Sequence, residues 1–352
     1  MIRSIAAWNV RHPSGGRSWA ALQITTHDGM EGWGECRPLT PADMASLRAM
    51  LEKQEEGAYE ALRVKMGRHP AAAAVNIATL DIQARRAKAP LYQFLGGPTR
   101  HKVRAFTALQ GGSEDELARG VESGRAAGFK AFSIPVVEPQ FRNSGRAFVA
   151  AAERRMVALR KAAGEDVDFV LSGAGKLTPG DAATMAAVFE REHLLWFDEP
   201  CGTSSLGPVR KVSDENVTPL GFGADAAEAS FFQNLLREDA VDIVRPELAL
   251  HGVSGVRKIA ALAETYYVAV APRHAEGPIN TAAALHLAAS LPNFFIQHIP
   301  YPASAEDRAM RAAIAGTEVE RVRDGFAALT NQPGLGVAVQ RQAIERYGSV
   351  IR

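Results

Sequence analysis

The sequence predicts an α/β protein in which a closed eight-stranded β/α barrel follows a smaller N-terminal α+β unit. Three observations carry that expectation. The chain has 352 residues, too many for one ordinary small domain and suited to a barrel of roughly 250 residues with a second unit attached. From Val103 onward, short apolar runs alternate with amphipathic stretches, the signature of parallel βα units. Ahead of that point the pattern differs: a hairpin is followed by helical periodicity.

Taken in order, Trp19 to Thr25 alternate like a half-buried strand, His27-Asp28-Gly29 reads as a turn, and Gly32-Trp33-Gly34-Glu35 forms the second arm of a hairpin. Apolar positions recur at helical spacing from Pro41 to Gly67 and from Ala71 to Lys88, with Pro90 as a stop. After the Gly96-Gly97-Pro98 break, strands are predicted at Val103–Ala108, Ala131–Val136, Asp168–Leu171, Leu194–Phe197, Pro219–Phe222, Asp242–Arg245, Tyr267–Ala271 and Phe294–Ile296. Helices such as Ala182–Glu192 and Ala229–Leu236 lie between them. The expected divisions are an N-terminal α+β domain at 1–100, a barrel at 101–322, and a return segment at 323–352 that packs on the first domain.

Hydrophobic residues make up 47% and charged ones 22%, the balance of a globular protein with a sizeable core. Forty Lys and Arg against 39 Asp and Glu leave a net charge of +1. That gives no field to gather nucleic acid or an anionic membrane. No stretch approaches 18 uninterrupted apolar residues and no leader pattern opens the chain, so a cytoplasmic protein is expected. Cys36 and Cys201 lack neighbours at zinc-ligand spacing and read as free thiols.

Several stretches resemble the mandelate racemase and muconate-lactonising branch of the enolase superfamily. They are Asp28 to Glu35, Asn76 to Ile82, Pro90 to Gly97, Trp196-Phe197-Asp198-Glu199-Pro200, Asp242 to Glu247, and Pro333-Gly334-Leu335-Gly336-Val337. Their shared order and spacing cover roughly Ala20 to Gly348. The run Ala271 to Pro278, followed by His286-Leu287-Ala288-Ala289, is most similar to the acid-sugar (galactonate-type) dehydratases. The resemblance implies a modified (β/α)8 TIM-type barrel under an N-terminal α+β capping domain, with the pocket at the C-terminal ends of the strands. It also implies a symmetric homo-oligomer and a small carboxylate or sugar acid as partner, with no nucleic acid and no membrane.

Members of that family abstract a proton α to a carboxylate. The resemblance implies a magnesium ion to polarise the carboxylate, held by oxygen ligands. In the family, carboxylates close the third, fourth and fifth strands. Here those positions read Ser172, Asp198 and Ala224, at the family's equal spacing, so one carboxylate survives. Possible relocated ligands are Asp198, Glu199, Asp225 and Glu247. A one-residue slip would be needed to aim Asp225 inward. The family's base positions read Ser133-Ile134-Pro135 on the second strand, Ala174 after the third, and Arg273 on the seventh. Gln297-His298 stands where an acid is common after the eighth.

This leaves His274, His298 and Arg273 as the catalytic candidates, the two histidines as acid/base groups by intrinsic pKa and Arg273 as an anion clamp. Ser133, Ser172, Lys176, Glu199, Glu247 and Arg273 are the substrate-binding candidates. Against these stand blander readings: Asp198 paired with a Lys or Arg, Arg273 paired with Asp198 or Glu199, and either His donating to a backbone carbonyl. The segment His12 to Arg17 reads as a cap loop able to close over a ligand. No cofactor is expected, with magnesium only if the carboxylates are relocated. The loss of so many positions predicts a non-catalytic homologue that binds a sugar acid. The alternative is an active dehydratase or racemase on a small hydroxy acid, working through a relocated or metal-free site.

Overall fold

The computed structural model describes residues 1–138, 145–214 and 217–352. Strands β1 (Ile2–Arg11), β2 (Ser18–Thr26) and β3 (Glu31–Cys36) form an antiparallel meander. The expected hairpin is β2 and β3. β1 is additional: its burial runs B-e-e-B-i-B-B-i-B-e along the strand, so no alternation marks it in the sequence. The helical stretch from Pro41 to Gly67 is two helices, α1 (Pro41–Leu51) and α2 (Tyr59–Met66), because Glu52 turns to φ −55°, ψ 130° and ends the first. Then come α3 (Ala72–Arg86) and the short α4 (Leu91–Phe94).

The α3 helix lies directly on β3. A Cβ on Gly32 would stand 2.2 Å from the carbonyl oxygen of Ala78, and one on Gly34 would stand 2.1 Å from that of Ala74. Two glycines two apart on a strand thus meet two alanines one turn apart on a helix, and the backbones come into contact.

The barrel strands are β4 (Lys102–Ala108), β5 (Ala131–Pro135), β6 (Asp168–Ser172), β7 (Trp196–Asp198), β8 (Leu220–Phe222), β9 (Ile243–Val244), β10 (Ala269–Val270) and β11 (Gln297–His298). Each pairs in parallel with the next from β4 to β10. Closure runs from Val270 to an isolated bridge at Phe294, and from β11 to β4. The eighth strand therefore sits later than Phe294–Ile296. Apolarity marks the segment that fills the barrel, whereas the ladder forms where Gln297 and His298 meet Ala105 and Phe106.

The outer helices are α5 (Glu114–Ala126), α6 (Gly145–Ala163), α7 (Pro179–Val188), α8 (Leu206–Asp214), α9 (Ala229–Arg237), α10 (Leu248–Glu264), α11 (Pro278–Ser290) and α12 (Ala305–Ala315). The predicted helix at Ala182–Glu192 is α7 followed by a separate 3-10 turn at Glu190–Glu192. Inside the barrel, Phe106, Ala131, Val170, Trp196, Ile243, Ala271 and Ile296 form a dry cluster, so the barrel is packed and not a pore.

The tail first adds β12 (Val322–Arg323) and β13 (Phe326–Ala328), the latter antiparallel to β4. It then returns through α13 (Arg341–Tyr347) to β14 (Gly348–Val350), which pairs with β1 and completes the sheet order β14-β1-β2-β3. Asp81 of α3 ties the parts together. It accepts hydrogen bonds from the backbone N–H of Leu335 (2.8 Å), from that of Trp33 (3.3 Å) and from Arg85 Nε (2.9 Å). Among the described residues no helix is long and apolar enough to cross a membrane.

Candidate active site

Residues two apart on a strand share a face. One step toward the C-terminal end from the dry cluster, Ala131 leads to Ser133, Val170 to Ser172, Trp196 to Asp198, Ile243 to Arg245, Ala271 to Arg273 and Ile296 to His298. An apolar floor is thus capped by a polar layer at the mouth of the barrel. That is where a barrel builds its chemistry.

At the centre of that layer Asp198 is paired with Arg245. Nε of Arg245 donates to Asp198 Oδ1 at 2.7 Å and Nη2 to Oδ2 at 3.3 Å, while Nη1 donates to the Ala271 carbonyl at 2.6 Å. Trp196 Nε1 donates to the same Asp198 Oδ1 at 2.9 Å. The guanidinium carbon lies 5.0 Å from the Trp196 ring and 5.6 Å from the Phe106 ring. Both side chains of the pair are buried, at 3% and 10% exposure. Gly221 makes room, since a Cβ there would stand 2.5 Å from the Trp196 ring and 3.1 Å from Asp198 Oδ1.

Arg273 pairs with Glu247, not with Asp198 or Glu199. Its Nη1 donates to Glu247 Oε2 at 2.7 Å. The other oxygen, Oε1, is buried with no hydrogen-bond partner among the described residues. Burial pushes the Glu247 carboxyl up to about 8, the charge of Glu276 adds to this, and Arg273 opposes it. Glu247 is therefore a proton-carrying group near neutral pH.

His298 has its Nδ1 2.9 Å from the His274 carbonyl oxygen. An acceptor there fixes the proton on Nδ1 and leaves Nε2 with a free lone pair. Burial, then Arg273, lowers its pKa, so the ring is neutral. The His274 side chain is buried, its Nε2 3.4 Å from Thr281 Oγ1, and burial holds its pKa well below the ordinary value. Thr281 in turn donates to Glu320.

The remaining candidates lie elsewhere. Glu199 follows the strand with φ +45° and turns away from the mouth, accepting from the N–H groups of Gly223 (2.6 Å) and Ala224 (2.8 Å). Burial raises its carboxyl to about 7, with Asp198 adding. Asp225 is 89% exposed and faces Arg37 of the cap at 3.4 Å, so no slip brings it into the barrel. Lys176 is exposed and paired with Glu138. The cap loop is closed down: Ser14 bonds Asp307 of α12, its N–H at 3.1 Å, and His12 packs edge-on against Trp19. Cys36 and Cys201 are buried free thiols.

Sequence reasoning missed Arg245 and Glu35. Arg245 appears there only as the end of a predicted strand and inside one of the stretches that resemble the family, with no role given to it. An Arg on the inward face of that strand demands a buried carboxylate partner, and alternation places Asp198 in the same layer. Glu35 reaches from β3 to the start of α11, accepting from the backbone N–H of Asn280 (2.8 Å) and from Trp19 Nε1 (3.1 Å). Burial pushes its carboxyl up to about 8.

The side chains present do not fit the divalent ion that the resemblance implies. Both oxygens of Asp198 are engaged by a guanidinium, Ser172 brings one hydroxyl and Ala224 none. Among the described residues no group of three or more His, Cys, Asp or Glu could hold a metal.

An α+β cap over a parallel barrel with a polar layer at the C-terminal strand ends defines an enolase-type fold. The chain belongs to the mandelate racemase/muconate lactonizing enzyme family: the model described as enolase C-terminal domain-like matches residues 116–343, and the mandelate racemase/muconate lactonizing enzyme N-terminal domain matches 9–96. A D-galactonate dehydratase family member from Streptomyces bingchenggensis is 28% identical over 98% of this chain and 93% of its own. A D-gluconate dehydratase from Thermoproteus tenax is 26% identical over 94% and 70%. A mandelate racemase/muconate lactonizing enzyme-like protein from Rubrobacter xylanophilus superposes with a TM-score of 0.87 at 24% identity, covering 99% of this chain and 97% of the other. These relatives correct the expectation of a non-catalytic homologue. Proteins matching nearly the whole chain are named as dehydratases, and the alternative of an active enzyme accords with them better.

Proposed function

We propose that this chain is a hydro-lyase of the acid-sugar dehydratase type that acts on a small hydroxy carboxylate without a divalent ion. The observation that carries the reading is the polar layer at the mouth, where a guanidinium, a neutral imidazole with a free Nε2 and a carboxyl with an unpartnered oxygen stand on adjoining strand ends. The dehydratase names of the relatives support it.

In this reading the free edge of Arg273 binds the substrate carboxylate through paired N–H donors. Nε2 of His298 takes the α proton. The electrons of that C–H bond form a double bond to the β carbon as the β C–O bond breaks, and the departing hydroxyl takes the Glu247 proton and leaves as water. The enol so formed becomes a 2-keto acid by proton transfer. Neighbouring groups pushed in opposite directions, a carboxyl raised and an imidazole lowered, provide donor and acceptor at one pH. The anionic substrate also screens His298 from Arg273 and makes it a stronger base once the substrate is bound. The reading further places the enzyme in the cytoplasm as a homo-oligomer.

The test is a panel of sugar acids, galactonate and gluconate included, with keto-acid formation measured in chelator and in magnesium. Product formed equally in both, and lost in Arg273→Ala and His298→Asn, is the expected result. No product from any acid, or product only with magnesium, overturns it.

A further inference from the structure

We infer that the Arg245 guanidinium is the resident cation of this barrel, and that it excludes a divalent ion from Asp198. The inference deepens the metal-free reading above and rests on it for its role in turnover, although the exclusion itself is a property of the folded site alone.

Asp198 is the one carboxylate whose side chain enters the mouth from the fourth strand, and three donors converge on it: Nε and Nη2 of Arg245 and Nε1 of Trp196. The third arm of the guanidinium is anchored at the Ala271 carbonyl, at the end of the strand next to its own. The cation thus lies above the apolar floor, held between the ends of the fourth and seventh strands. Its guanidinium carbon lies over the Trp196 and Phe106 rings, an aromatic setting that favours a delocalised cation over a hydrated one. Magnesium or manganese demands several oxygen ligands at short, near-octahedral distances. To reach Asp198, such an ion would have to displace Arg245 and strand its charge in a buried position with one carbonyl left.

The neighbouring strand ends agree with this arrangement. Ser172 and Ala224 bring no charge, so one negative and one positive group balance. Gly221 keeps clear the space in which Trp196 reaches Asp198.

The test reads binding, not turnover, so it stands apart from the fate of the hydro-lyase reading. Manganese is titrated into the full chain and the free ion is followed by electron paramagnetic resonance. Wild type is expected to bind none at this site up to millimolar concentration. Stoichiometric binding that Asp198→Asn abolishes overturns the inference. Ser172→Asp/Ala224→Asp with Arg245 kept is expected to remain without the site, and adding Arg245→Met is expected to create it, with affinity tighter by about 100-fold. If the double variant binds as well as the triple, or a folded triple variant binds no better than wild type, Arg245 is not what excludes the ion. Should the triple variant not fold, the wild-type and double-variant titrations decide alone.

Discussion

Arg273 stands at a family base position yet stays charged at every working pH, so the resemblance points to a residue whose chemistry must be binding. Glu247, to which Arg273 donates, then sets an alkaline limit. Its raised carboxyl carries a proton below about 8 and loses it as pH rises through that value. Turnover is therefore expected to fall above pH 8 in a kcat profile, and a profile flat to pH 9 would remove Glu247 from the acid role. Glu35 gives a second pH effect, this time on stability. Its folded pKa, about 8, lies above the ordinary 4.5, so the folded state holds the proton more tightly. That contribution is fully present below about 4.5 and is lost as pH rises to about 8. Denaturation midpoints of Glu35→Gln should gain on wild type steadily between pH 5 and pH 8. A constant gap would show that Glu35 is not protonated in the fold.

At the scale of elements, Gly221 of β8 is the place where one methyl group tests the site's packing. A Cβ there meets both the Trp196 ring and Asp198 Oδ1. Gly221→Ala should destabilise by about 1–3 kcal/mol by overpacking and displace the Arg245 pair, readable as a shift in Trp196 fluorescence. A variant with wild-type stability and emission would contradict the geometry. Much of this level was legible in the sequence. The βα alternation located seven of the eight barrel strands, since each buried strand is an apolar run bounded by turns. It misplaced the eighth because Gln297 and His298, which make the ladder, are polar. It missed β1, whose two faces are both partly covered. In the site, the family resemblance directed attention to Asp198, Glu247, Arg273 and His298. Their pairings were not legible: Arg245 and Asp198 are 47 positions apart, and they meet over the intervening strand, where Gly221 leaves room, which no local pattern encodes.

Over the whole molecule, cap and barrel share buried polar ties at Glu35 and between Asn76 and Ser254 (2.8 Å), and Asp81 ties the cap to the return segment. Three of the four tryptophans, Trp8, Trp19 and Trp33, lie in the cap strands and one in the barrel. Unfolding of Trp196→Phe by fluorescence then reports the cap, while far-ultraviolet dichroism reports mainly the barrel helices. The two are expected to share one midpoint, and separated transitions would show that the junction does not couple them. The last strand matters to the same unit, because Ile351 is buried beside the cap sheet and its N–H donates to the Ala7 carbonyl. Ile351→Ala should cost roughly 2 kcal/mol or more, measured by urea denaturation.

On the proposed reading, proton abstraction takes place at the barrel mouth of a protein that holds a guanidinium on Asp198 instead of a metal ion. The direct measurement is the loss of the substrate α-proton signal in deuterated water, by proton nuclear magnetic resonance, with chelator-treated enzyme and each acid of the panel. The signal is expected to disappear in chelator for at least one acid, and His298→Asn is expected to slow this on the order of 100-fold or more. A signal that persists in chelator and disappears only when magnesium is added would contradict that reading.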